Sequence, residues 1–220
     1  MKKEKWFTPA NVVAALLVAI LIISASVTAT LFDRHGYYAL RDKLDLPGAA
    51  GMGEAELTEN YDALIDYNAV FFQGPLVFPT LPMSEAGRIH FAEVKAIFAS
   101  IQIALIVSAI GAALCCVFLL RKRKVRFLAL GGILALAIPA VAGSVMGAVG
   151  WDRFFVLFHQ VFFNNGFWVF DERTDPIILI LPDAFFLKCL ESIVASIAIA
   201  SILLIAASAL FSARRRGAPE

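Results

Sequence analysis

The chain has 220 residues, of which 60% are hydrophobic, 17% charged and 12% aromatic, and its formal net charge is +1. A soluble domain carries about 45–50% apolar and about 25% charged residues, so this composition belongs to a bilayer protein. The apolar excess excludes an intrinsically disordered chain, and the near-neutral balance gives no footing for nucleic acid.

A transmembrane helix needs about 20 predominantly apolar residues. Four stretches qualify: 9–32, 94–120, 125–149 and 184–211. The first follows Lys2, Lys3 and Lys5, as the core of a signal peptide would. It exceeds the roughly 7–15 residues of such a core and three more spans follow, so it reads as an uncleaved first helix. The expected fold is all-α: one membrane domain over 1–220 with four transmembrane helices. In the third span Pro139 predicts a kink, and Gly143-x-x-x-Gly147 predicts close helix packing.

Basic residues orient the spans. Lys2, Lys3 and Lys5, the five Lys/Arg of 121–126, and Arg214 to Arg216 make eleven of nineteen cations. Four alternating spans put all three groups on one side, and the positive-inside rule makes that side cytoplasmic, an N-in/C-in topology. The other two connections, 33–93 and 150–183, carry the acidic excess and are expected outside.

The sixty-residue outer loop 33–93 is long enough to be functional or disordered. After Asp42 to Asp45 and a Gly-rich stretch at 47–53, a helix is expected over 54–72, then a Pro-punctuated run over 74–82. Ser84 has the character of an N-cap, with Glu85 in the favourable first turn. The helix it starts carries Arg88, His90 and Glu93 and is expected to run into span two. The second outer segment, 150–183, places nine aromatic residues between Trp151 and Phe170. Rings at that density predict an interfacial or re-entrant helix, broken by Asn164-Asn165-Gly166. Asp175-Pro176 then turns the chain into 177–181, too short to span, and Pro182-Asp183 restarts helix four. Cys115, Cys116 and Cys189 all sit in apolar stretches and read as small buried side chains.

His35, His90 and His159 all map to the outer side. His35 has the setting of a solvated residue at the end of span one. His159 is ringed at helical spacing by Phe155, Val156, Phe162 and Phe163, and an imidazole in such surroundings needs a partner or a task. His90 and Glu93 share a helix face, which suits either a metal half-site or a carboxylate orienting an imidazole; two ligands make no site, and no metal is expected. Lys188 and Glu191, three apart, neutralise each other. No Gly-x-Ser-x-Gly elbow, phosphate-binding loop, His-Glu-x-x-His or Cys-x-x-Cys is present.

The run from Ser84 to Lys95, centred on His90-Phe91-Ala92-Glu93-Val94, resembles one segment of the lipoprotein intramolecular transacylase family. Phe158-His159-Gln160-Val161-Phe162-Phe163-Asn164-Asn165-Gly166-Phe167-Trp168 resembles its second, with Asp175-Pro176-Ile177-Ile178 downstream. Motif order, span number, orientation and size agree over nearly the whole chain. The resemblance implies a bacterial cytoplasmic-membrane enzyme acting at the outer leaflet. It would move the sn-2 acyl chain of a diacylglyceryl-cysteine lipoprotein to the cysteine α-amine, giving the lyso-form. It implies His90 and His159 as the functional pair, no cofactor, and lipoprotein and membrane lipid as partners. Arg88, Asn164 or Asn165 are expected to stabilise an oxyanion, with Glu85 and Glu93 in orienting roles. Phe155, Phe162, Phe163 and Trp168 are expected to hold acyl chains. The competing readings are another lipid hydrolase or acyltransferase using the same pair, a non-enzymatic sensor or accessory protein working through the acidic loop, and a bis-histidine haem protein.

Overall fold

The computed structural model of the chain describes residues 8–121 and 124–217, excluding the side chains of 215–217. The basic groups used for orientation therefore lie partly outside them: Lys2, Lys3, Lys5, Lys122 and Arg123, and the side chains of Arg215 and Arg216. The described residues form helices and no strand. In order they are α1 (Pro9–Leu31), α2 (Arg34–Leu44), α3 (Leu46–Ala50), α4 (Glu54–Tyr67), α5 (Glu85–Arg121), α6 (Arg126–Ala135), α7 (Ala137–Val149), α8 (Trp151–Phe162) and α9 (Asp183–Gly217), with a 3-10 turn over Pro176–Ile180 before α9. Pro9–Leu31, Glu85–Arg121, Arg126–Val149 and Asp183–Arg214 are long and apolar enough to cross a membrane.

These elements sort into two compact units. Among the described residues, the first takes 8–27, 102–121, 124–145 and 192–217. Its core joins Ala14, Val18 and Ile22 of α1 to Leu119 of α5, Phe127 of α6 and Ile197 of α9. Helices close up where glycine removes the side chain. A Cβ on Gly131 would stand 2.7 Å from Val18 Cγ1, and one on Gly132 would stand 2.9 Å from the Ser201 carbonyl. The third span is broken at Leu136. Pro139 has no N–H to give the Ala135 carbonyl and its ring crowds that position, so α6 stops there and α7 begins one residue on. Among the described residues the packing expected at Gly143 and Gly147 is absent: none of their atoms lies within 4 Å of a Cβ at either. The x-x-x spacing marks a smooth helix face; in this chain the close approaches fall on Gly131 and Gly132 instead.

The second unit comprises residues 28–101 and 146–191. Most of the long acidic loop is folded. Asp45 sits in the left-handed region (φ 48°), ends α2, and caps α3 by accepting from Gly48 N–H. The Gly-rich stretch is therefore a helical turn, and the helix expected over 54–72 stops at Tyr67. Asn60, fully buried on α4, ties down the Pro-punctuated run: its Nδ2 donates to Thr80 Oγ1, and its Oδ1 accepts from the Thr80 and Leu81 N–H groups. Tyr37 and Tyr61 stack at 3.4 Å, and Tyr37 Oη donates to the Ile180 carbonyl. The residues at 177–181 plug this core: Ile177 and Ile180 are fully buried. With too few residues to span, the segment satisfies its apolar surface inside the protein.

Candidate active site

Two helix starts place the histidines. At the head of α5, Ser84 Oγ accepts from Gly87 N–H at 2.9 Å, the cap its sequence position predicts. A second cap comes from far along the chain: Asp175 Oδ1 accepts from Ser84 N–H at 2.8 Å. His90 follows in the second turn and is 6% exposed. α8 starts after Gly150 (φ 80°) and carries His159 in its third turn; it ends at Phe162, just before Asn164-Asn165-Gly166.

The two imidazoles lie 6.1 Å apart between ring centroids. Aromatic rings wall them in. Phe155 lies 4.2 Å and Trp168 4.6 Å from the His159 ring, the latter stacked. Phe163, 5% exposed, stands 4.7 Å from His90 and 5.6 Å from His159. Phe170 closes on His90 at 5.5 Å.

The ring nitrogens differ in what they meet. His159 Nδ1 is 2.8 Å from the Phe155 carbonyl oxygen. A carbonyl only accepts, so the proton sits on Nδ1, and Nε2 of the neutral ring keeps its lone pair. Burial pushes the His159 imidazole below its ordinary value; the Phe155 hydrogen bond acts the other way and loses. The neutral, basic form is therefore the one present near pH 7. His90 Nδ1 is buried with no hydrogen-bond partner.

One polar chain runs beside this ring cluster. Glu93, one turn beyond His90, accepts from Asn165 Nδ2 on Oε1 at 2.8 Å, while its Oε2 is buried and unpaired. The Asn165 carbonyl accepts from Trp168 Nε1 at 3.1 Å. Glu93 thus connects, through Asn165, to the ring stacked on His159.

Of the residues singled out in the sequence, His90, His159, Glu93, Asn165, Phe155, Phe163 and Trp168 come together. Glu85 and Arg88 do not: they pair with each other on an exposed side of α5. Asn164 is exposed, and Phe162 is 53% exposed and packs on Phe158. His35 is exposed beside Tyr38. Among the described residues no group of three His, Cys, Asp or Glu is arranged to hold a metal around His90 and Glu93. Sequence reasoning missed Phe170 and Asp175. The signal for Asp175 was its place before Pro176, where a restricted backbone can present a carboxylate to another segment.

A family model described as lipoprotein intramolecular transacylase Lit matches residues 12–186. The chain belongs to this family. The membrane-integral Lit of Bacillus cereus, solved in meso, superposes with a TM-score of 0.90 at 35% identity, covering 95% of this chain and 97% of that one. A variant of the same protein with a histidine replaced by arginine gives 0.84 at 35% identity, covering 94% and 92%. A histidine-to-alanine variant gives 0.86 at 34% identity, covering 95% and 94%. No curated protein matches. The chain is thus a multi-pass membrane transferase, a lipoprotein intramolecular transacylase.

Proposed function

We propose that this transacylase moves the sn-2 acyl chain of a diacylglyceryl-cysteine lipoprotein onto the cysteine α-amine, with His90 and His159 as its working pair. The observation that carries this reading is the 6.1 Å approach of the two imidazoles within a cluster of rings, Phe155, Phe163, Phe170 and Trp168. Aminolysis needs a neutral amine, and an α-amine has a pKa of about 7.7–8.0, so a base must first take a proton. His159 Nε2 suits that task, because Nδ1 is committed to the Phe155 carbonyl and burial keeps the ring neutral.

The nitrogen then attacks the sn-2 ester carbon. The new C–N bond forms, and the carbonyl oxygen takes negative charge that an N–H of a neutral His90 receives. As the C–O bond breaks, the proton taken from the amine passes from His159 to the departing sn-2 oxygen. The second proton, acidified as the C–N bond forms, leaves the nitrogen through the freed His159 Nε2 to water, so the products are a cysteine amide, a glycerol hydroxyl and one released proton. Donor and acceptor belong to one molecule, so positioning supplies most of the advantage; effective molarities for oriented groups can reach about 10⁵ M or more. No protein nucleophile is needed.

The asymmetry of basic residues supports an N-in/C-in arrangement in the bacterial cytoplasmic membrane, with this pocket on the extracytoplasmic side. The deciding experiment expresses the chain in cells lacking other N-acylating activity and reads the N-terminal lipopeptide by mass spectrometry. A lipopeptide acylated on nitrogen with a free glycerol hydroxyl is expected. An unchanged diacylglyceryl form, or a hydrolysed one with a free amine, would remove the proposal.

A further inference from the structure

Glu93 presents an acceptor that nothing in the chain fills. Its Oε1 is held by Asn165 Nδ2, whereas Oε2 is buried without a partner, one turn along α5 from the His90 ring that packs on Phe163. His90, three residues earlier on the same helix face, has its Nδ1 buried and unpaired as well. An ionised group out of water is costly unless something donates to it. Two polar atoms on one face of α5, both buried and left open beside the ring cluster around His90, point to a ligand that brings strong donors.

Resting on the transacylation reading of this pocket, we infer that Glu93 Oε2 is the receptor for the substrate's α-amino group. A diacylglyceryl-cysteine end offers a thioether and ester oxygens, which do not donate, and backbone amides, which carry no charge. The α-amine alone brings a positive charge with several N–H donors. It arrives mostly protonated at neutral pH. One N–H is accepted by Oε2 and another faces an imidazole; when that imidazole takes its proton, the nitrogen becomes a neutral nucleophile still held by Glu93. No covalent bond to Glu93 forms and no proton stays on it. Asn165 keeps the carboxylate in place and, through its carbonyl, fixes Trp168 on the His159 ring, so amine receptor and base share one scaffold.

Two consequences follow from the chemistry. The pocket selects free amines and rejects lipoproteins already acylated on nitrogen. After transfer the nitrogen is an uncharged amide, so the carboxylate loosens its hold on the product just when release is required.

The test uses the full chain in lipid nanodiscs and two unreactive probes. One is a dialkylglyceryl-cysteinyl peptide, with ethers in place of esters, bearing a free amine; the other is its N-acetyl derivative. The wild-type chain is expected to prefer the free amine at pH 7 by roughly tenfold or more, the weight of one charge-assisted hydrogen bond. Glu93→Gln is expected to bind both probes within about twofold, with the N-acetyl probe bound as in the wild type. A Glu93→Gln chain that keeps the preference overturns the assignment. So does a wild-type chain that binds both probes equally, which needs no folded variant. Conversion of the diacyl lipopeptide by the wild type is read alongside. Conversion without amine preference removes the Glu93 assignment alone, and absence of conversion removes the transacylation reading.

Discussion

The carboxylate of Asp175 holds the backbone N–H of Ser84 at 2.8 Å across 91 positions of sequence. Asp175 is 2% exposed, and its second oxygen accepts from Thr174 Oγ1 at 2.8 Å. The segment after the aromatic run is thereby locked to the first turn of the helix that carries His90. Gly87 lies against the same carboxylate: a Cβ there would be driven into Asp175 Oδ1 and would stand 3.2 Å from Met83 Cγ.

Removing this clamp leaves the half-buried Ser84 N–H at the helix N-terminus without its acceptor. Asp175→Ala is expected to cost about 1–3 kcal/mol, seen as a lower midpoint of thermal unfolding in detergent, with a parallel loss of conversion. Gly87→Ala is expected to lower the midpoint too, because Asp175 is pinned by two hydrogen bonds and has little room to yield. A wild-type midpoint in both variants would mean that the Ser84 cap alone holds α5.

Replacing either imidazole tests the pair itself. His90→Ala and His159→Ala are each expected to reduce conversion by about 10²–10⁴-fold, the usual weight of a positioned acid–base group. Both proteins should still insert and elute as the wild type does. Full turnover in both single variants would end the mechanism proposed above.

His159 also sets a pH dependence. Burial lowers its folded value below the ordinary histidine value of about 6.5, so the native state holds it neutral while the unfolded chain takes up a proton first. With more protons bound in the unfolded state, the His159 contribution to stability is present above about pH 6.5 and is lost as pH falls through the folded value. The difference in unfolding midpoint between wild type and His159→Gln should shrink on that side, and conversion should lose its basic form over the same range. A wild-type advantage that grows on acidification would contradict the sign.

The glycines divide into those that touch a neighbour and those that do not. Gly132→Ala places a Cβ 2.9 Å from the Ser201 carbonyl, a backbone atom that cannot swing aside, and is expected to cost about 1–3 kcal/mol. Gly143→Ala and Gly147→Ala meet open space and are expected to leave the midpoint unchanged or raise it slightly, since alanine is the better helix former. Thermal unfolding of the three variants side by side distinguishes them.

What was legible beforehand had a local cause. Hydropathy marked the spans, Ser84 announced the start of α5, and Asn164-Asn165-Gly166 marked where α8 ends. Helical spacing put His159 among phenylalanines. The rest depends on contacts between distant segments, which no local pattern encodes. Small-residue spacing does not say which helix comes close, so Gly143 and Gly147 drew attention that belonged to Gly131 and Gly132. Ile177 to Leu181 read as an apolar leftover because the core that receives it, around Tyr37 and Tyr61, is built by residues more than a hundred positions away. Glu85 and Arg88 sit near His90 in sequence but on another face of the helix, where they satisfy each other.

Asn165 links that distant geometry to something measurable. Its side chain donates to Glu93 and accepts from Phe167 N–H at 3.0 Å, while its carbonyl receives Trp168 Nε1. Trp168 stacks on His159, so charging that imidazole should quench its emission. In a Trp6→Phe, Trp151→Phe background, Trp168 fluorescence is expected to fall as pH drops below about 6.5, tracking the His159 proton. Trp151→Phe is a mild change here, because its Nε1 is buried without a partner and its loss leaves nothing unpaired. Asn165→Ala keeps the carbonyl that Trp168 uses but releases both side-chain tethers of the loop. The stack loosens, and the acid step in fluorescence should shrink along with conversion. A step of unchanged size would show that ring packing alone holds Trp168 on His159, and would take Asn165 out of the site.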